Sequence, residues 1–128
     1  MDTSIRYSEI AKNVLRNYAN FVNQGGNEPL HVAFDDEHHS YLVLNIGWQG
    51  KKYIHSATLH LEIIGGKIWI QSDNTEEGIA ADLLEAGVPK DDIALGFRHP
   101  KIRKYTEFAD ISTPLLEDAH QKPSAIAA

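Results

Sequence analysis

Two adjacent glycines, Gly65 and Gly66, stand between two apolar runs, and they restrict the fold more than any other stretch. Both can take positive φ without a Cβ penalty, which a two-residue hairpin turn requires at its centre. Beyond them, Ile68 and Ile70 alternate with Lys67, Trp69 and Gln71, the period of a strand with two unlike faces. Asp73, Asn74 and Thr75 each offer a side-chain oxygen that suits a helix cap, and Glu76 and Glu77 favour a first turn. The helix so begun is expected to bury Ile79, Ala80, Leu83 and Leu84 and to stop at Gly87, with Pro89 just beyond.

The chain before this hairpin reads as one helix and three more strands. Asp2, Thr3 or Ser4 caps the helix, and Tyr7, Ile10, Ala11, Val14, Leu15, Tyr18, Phe21 and Val22 repeat at threes and fours as a single buried stripe. Arg6, Glu9, Lys12, Arg16 and Asn20 take the other face, and Gln24-Gly25-Gly26 ends the element. Strands follow at residues 31–34, 41–48 and 53–64, joined by the polar turn 35–39 and by Gln49-Gly50. Connections this short force antiparallel pairing, because a parallel crossover needs roughly a dozen residues or more. Leu42, Leu44, Ile46 and Trp48 share one face of their strand, which reads as the core face. The expected fold is α+β: an N-terminal helix, a four-stranded antiparallel β-meander, a second helix packed on the sheet, and short C-terminal segments. Residues 1–109 form one domain. Residues 110–128 are an extension, with a short helix begun by Thr113-Pro114 and a disordered end.

Composition narrows the function. A chain of 128 residues is near the commonest domain size, about 100–150 residues. It has no cysteine, which excludes disulfides, thiolate metal sites and cysteine nucleophiles. It also lacks an apolar run long enough for a membrane span and a leader-like N-terminus, so a cytoplasmic location is expected. A net charge of −6 argues against an autonomous duplex-DNA binder, since phosphate neutralisation supplies most non-specific affinity. It suits a partner of a basic or DNA-bound protein.

Four groups of residues could carry chemistry. His38 and His39, with Asp35, Asp36 and Glu37, offer ligands for a divalent ion, but a solvated hairpin loop is the better reading. His55 and His60 lie five apart on one strand, which puts them on opposite faces. Glu76-Glu77 and Asp91-Asp92 fit a helix start and a turn, and there is no phosphate loop or serine-nucleophile signature. The chain is therefore read as a non-enzyme with no metal or cofactor. The basic run Arg98, Lys101, Arg103 and Lys104, with Tyr105 beside it, offers a contact for phosphate or for an acidic surface. Trp69 stands on the polar side of its strand, as a cover for the sheet rim or as an interface anchor. If Tyr41, Val43 and Thr58 share its outer face, a partner or a second subunit lies over it.

Several short motifs in one order add a resemblance. They are Asn45-Ile46-Gly47-Trp48, His55 with His60, Gly66–Gln71, Thr75-Glu76, Ala86–Ile93, Leu95-Gly96-Phe97 and Arg103–Ala109. Together they resemble the fdxN element excision controlling factor family, XisI, over roughly residues 5–109. The resemblance implies a cyanobacterial, heterocyst-type accessory factor for programmed DNA excision. Such a factor acts beside a companion called XisH and a site-specific recombinase, and is not itself the recombinase. It also implies an antitoxin-like partner of a nuclease-like protein as an alternative. On this reading the chain meets an XisH-like companion through its outer sheet face or C-terminal region, with Trp69 and Tyr105 as candidate contacts; the alternative is a DNA-contacting accessory protein that uses the basic loop 98–104, with Arg98, Lys101, Arg103 and Lys104. Self-association remains open, DNA is touched weakly or indirectly, and no membrane is involved.

Overall fold

In the computed structural model, residues 3–25 and 30–110 are described. The expected cap at residues 2–4, the end of the joint at Gly26, and the helix and disordered tail expected beyond residue 110 lie outside the described side chains and residues. Helix α1 spans Thr3–Gln24. It buries Tyr7, Ser8, Ala11, Leu15 and Ala19, with Ile10, Val14 and Tyr18 half-buried beside them. The stripe expected to include Phe21 does not reach it, and Phe21 is 76% exposed. A buried row that advances by fours leaves Phe21 about 200° round the axis from Ala19, on the far side of the helix.

The helix lies on a five-stranded sheet ordered β1-β2-β3-β4-β5. The strands are β1 Leu30–Asp35, β2 Ser40–Gln49, β3 Lys52–Ile64, β4 Lys67–Asp73 and β5 Ile93–Leu95. The first four form the expected antiparallel meander. The fifth corrects the four-stranded expectation: Ile93, Ala94 and Leu95 pair in parallel with Ile68, Trp69 and Ile70. The chain between β4 and β5 is long enough for a parallel crossover, and a three-residue strand leaves almost no periodic signal. Gly65 and Gly66 both take positive φ, 59° and 76°, as a two-residue turn of the mirror-image class requires.

The core lies between α1 and one face of the sheet. Tyr41, Val43, Leu59, Leu61, Ile63, Ile68 and Ile70 fill it with the buried row of α1. This reverses the face expected for β2: Tyr41 and Val43 point in, while Leu42, Leu44 and Ile46 sit half-buried on the other side and Trp48 is 71% exposed. Trp48 instead packs on Tyr53 across the hairpin, with ring centroids 5.1 Å apart. Tyr41 and Val43 do not share a face with Trp69, so the single outer face expected for them does not form.

Two register shifts reset the alternation elsewhere in the sheet. Val43 pairs with Leu59 and Leu44 with Ala57, so Thr58 is an extra residue in β3; His60 pairs with Ser72 and Leu61 with Ile70, so Gln71 is extra in β4. A bulge resets the in–out alternation beyond it. His55 pairs with Ile46 and His60 with Leu42, four residues apart on an unbroken strand. The two histidines therefore share the outer face, where uninterrupted alternation would separate them.

Helix α2, Ala80–Glu85, is shorter than expected and starts later. Asp73 does the capping from a distance: its carboxylate accepts from the backbone N–H of Thr75 and Ile79 at 3.0 and 2.7 Å and from the Thr75 hydroxyl at 2.6 Å. Thr75 Oγ1 accepts in turn from the N–H of Gly78. Glu76 and Glu77 thus lie in a loop before the helix rather than in its first turn. Ile79, Leu83 and Val88 enter the core.

Removing side chains on the two faces of the sheet separates these roles. Leu61→Ala is expected to cost about 3 kcal/mol, and Trp48→Ala about 1 kcal/mol or less, by urea denaturation. Burial raises the phenols of Tyr7, Tyr18 and Tyr41, Tyr7 to about 12, with its hydrogen bond to Asp92 as the second cause. A phenol whose folded pKa lies above its unfolded value stabilises fully below about pH 10 and loses that contribution as pH climbs toward 12. Stability should fall from about pH 10 to pH 12, and Tyr7→Phe should flatten that fall.

Candidate functional site

The basic run splits into an inward and an outward part. Pro100 sits at the first position of the four-residue helix α3, Pro100–Arg103, where its missing N–H costs nothing. His99 Nδ1 accepts from the Lys101 N–H at 3.1 Å and caps that turn. The turn aims Arg103 into the protein, where it is 2% exposed. Its Nε donates to the Leu95 carbonyl at 3.0 Å and its Nη2 to the Gly96 carbonyl at 3.3 Å. The guanidinium lies 5.1 Å from the centroid of the Trp69 ring. Burial lowers its pKa from the ordinary value, yet a guanidinium remains the charged donor.

Trp69, only 6% exposed, is the floor of this arrangement, with Ala94 and Ala109 beside it. Its indole N–H has no acceptor among the described residues. The Ala109 N–H donates to the Ile93 carbonyl at 2.9 Å, which ties the end of the segment to the sheet edge. A Cβ on Gly96 would displace the Gln71 carboxamide and stand 3.2 Å from the Ile70 carbonyl, so the glycine lets the strap approach β4 closely. Residues 93–109 therefore form a strap over the back of β4. Trp69 and Arg103, expected as surface contacts, are its fastening. Arg98, Lys101, Lys104 and Tyr105 are exposed, Tyr105 at 78% with the Lys104 ammonium 5.2 Å from its ring centroid.

The loop histidines part company. Asp35, Glu37 and His38 lie close enough to share a cation, and all three are exposed. His39 turns away to the Ser8 hydroxyl at 3.3 Å, and Asp36 accepts from Lys12 at 3.0 Å and from Tyr41 at 2.8 Å. His60 Nε2 lies 2.8 Å from the Ser40 hydroxyl, a sheet contact.

A groove between α1 and the Thr75–Glu85 region was not foreseen. It has two lobes of about 480 and 510 Å³ that share Tyr18, Phe21 and Asp82. Tyr18, Phe21 and Val14 form an apolar floor, and Glu76, Glu77, Asp82 and Glu85 stand around it. No cation lies within salt-bridge distance of these four among the described residues, nor of Glu37, Glu62, Asp73, Asp91 or Asp110, whereas Glu9, Asp36, Asp92 and Glu107 each have a lysine. Burial first, then Glu85, Glu77 and Asp73, raises the Asp82 carboxyl; burial, then Asp73 and Glu76, raises Tyr18. The readable signal was an apolar stripe continued to Phe21 beside an acidic segment.

A helix over a mixed sheet, closed at the back by an arginine-fastened strap, defines a small α+β domain. The model of the family described as XisI protein matches residues 1–110, and the chain belongs to the XisI family. It is similar to the crystal structure of a XisI-like protein from Anabaena variabilis ATCC 29413. That match has 34% identity and a TM-score of 0.77, covering 84% of this chain and 99% of the other. It is also similar to the fdxN element excision controlling factor XisI from Anabaena variabilis ATCC 29413, at 36% identity and TM-score 0.76, covering 86% and 100% of the two chains. No curated protein matches. No helix among the described residues is long and apolar enough to cross a membrane.

The two halves of the basic run should behave differently on substitution. Arg103→Ala leaves two carbonyls and the Trp69 ring uncovered and is expected to cost about 3 kcal/mol. Reversing Arg98, Lys101 and Lys104 to Glu together should change stability by about 1 kcal/mol or less. Urea denaturation of the two variants tests the division.

Proposed function

We propose that this chain is an accessory factor controlling excision of a DNA element, and that it acts by binding an XisH-like companion protein rather than by catalysis. The observation that carries this reading is the 36% identity to the fdxN element excision controlling factor XisI across the whole of that chain. The charge supports a protein partner: at net −6, the surface as a whole repels a phosphate backbone. The inward turn of Arg103 also removes one cation from the only basic run, which weakens a DNA-reading role for that segment. A direct DNA contact is the second reading, favoured by the outward placement of Arg98, Lys101, Lys104 and Tyr105.

Co-expression with an XisH-like companion, followed by size exclusion at low and high salt, separates the two. A one-to-one or other fixed-ratio complex that survives high salt is expected. The chain eluting alone at both salts, with DNA retention that falls steeply as salt rises and is abolished by charge reversal at Arg98, Lys101 and Lys104, would overturn it.

A further inference from the structure

The groove between α1 and α2 combines an apolar floor with an acidic rim. Its floor holds Phe21, a large apolar side chain left 76% exposed at the end of a helix that is otherwise packed on the sheet. Its rim holds Glu76, Glu77, Asp82 and Glu85, none paired with a cation among the described residues. Glu85 and Glu77 crowd Asp82 closely enough to disfavour its charged form, after burial as the larger cause. Four carboxylates around an apolar floor make a local negative field that favours a ligand carrying both cations and apolar surface. Lysine and arginine are the cations that also cover apolar surface with their stems.

We propose that this groove is the seat of a basic amphipathic helix from a protein partner. Its apolar stripe lies on Tyr18 and Phe21, and its flanking Lys or Arg residues meet Glu76, Glu77, Asp82 and Glu85. The groove runs from Val14 to Phe21, two turns of α1, or about 10 Å. That length takes two or three turns of a bound helix whose anchors repeat at i, i+3, i+4 and i+7. The inference rests on the protein-binding reading above and adds to it where the partner sits and which chemistry it brings. A negatively charged protein gains on-rate and selectivity from such a match.

The test uses the full chain and a fluorescein-labelled peptide of about 18 residues, leucine on one helical face and lysine on the other. A peptide with the same leucines and glutamate for lysine is the control. By fluorescence anisotropy the Leu/Lys peptide should bind and the Leu/Glu peptide should not. Phe21→Ala keeps every charge and should weaken binding at least tenfold; Glu77→Lys with Glu85→Lys should abolish it. Glu37→Lys with Asp91→Lys, equal in charge but remote from the groove, should leave it within twofold. No binding, an unaltered Phe21→Ala, or an equal loss in the remote pair would each overturn the groove. The same variants with the XisH-like companion keep the two claims apart. Companion binding that ignores Phe21→Ala and the groove reversal sinks the groove and leaves the binding-factor reading. Peptide binding by a chain that forms no companion complex does the reverse.

Discussion

One 22-residue helix, helped only by Ile79, Leu83 and Val88 from the short α2 region, has to cover one face of a five-stranded sheet, and most of the architecture answers that constraint. Under α1 the sheet can be uniformly apolar, and it is: Tyr41, Leu59, Leu61, Ile68 and Ile70 are all essentially sealed. The opposite face has no such helix. Over β4 it is closed by the strap of residues 93–109, whose buried Ala94 and Ala109 offer little side-chain area over Trp69. A buried guanidinium replaces area with direction. Arg103 donates to two adjacent carbonyls and lies over an indole, three constraints met by one planar group.

The geometry of the strap explains why a basic run proved to be two things. In sequence, Arg98, Lys101, Arg103 and Lys104 form one cluster; in space, the turn begun at Pro100 rotates Arg103 away from the others. Neighbours in a helical turn point about 100° apart, so charge density along the chain is a poor guide to charge density on a surface. The acidic groove is the converse case. Phe21 lies in α1, and Glu76, Glu77, Asp82 and Glu85 lie more than fifty positions later, so only the packing of α2 against α1 creates the site.

The elements set by local chemistry were legible from sequence. Gly65-Gly66, the stripe on α1 through Tyr18 and the turn around Gly50 all specify their conformation within a few residues. What was not legible depended on phase. Both sides of β2 carry apolar residues, so Leu42, Leu44 and Ile46 outweigh Tyr41 and Val43 by hydropathy and point the assignment to the wrong face. The extra residues Thr58 and Gln71 then shift the alternation of their strands without changing composition, which is why His55 and His60 were separated on paper and share a face in the fold. Asp73 misled in a subtler way. It looks like a helix cap and does accept the N–H groups expected of one, but across a loop that delays the helix to Ala80.

The bulge at Thr58 also sets where the sheet ends mechanically. Among the described residues, β4 pairs with β3 as far as Leu59, and β1 pairs with β2 as far as Asn45. Ile46–Gln49 and Lys52–His55 continue past both as a two-stranded ribbon with Trp48 on Tyr53 near its tip. Its root is clamped by Asn74, whose N–H donates to the Thr58 carbonyl at 2.9 Å and whose side chain donates to the Ala57 carbonyl at 3.2 Å. The ribbon is a cantilever, and its anchoring point is the residue between Asp73 and the loop that carries Glu76 and Glu77. The chain then runs directly from this clamp into Thr75, Glu76 and Glu77, which line the acidic groove.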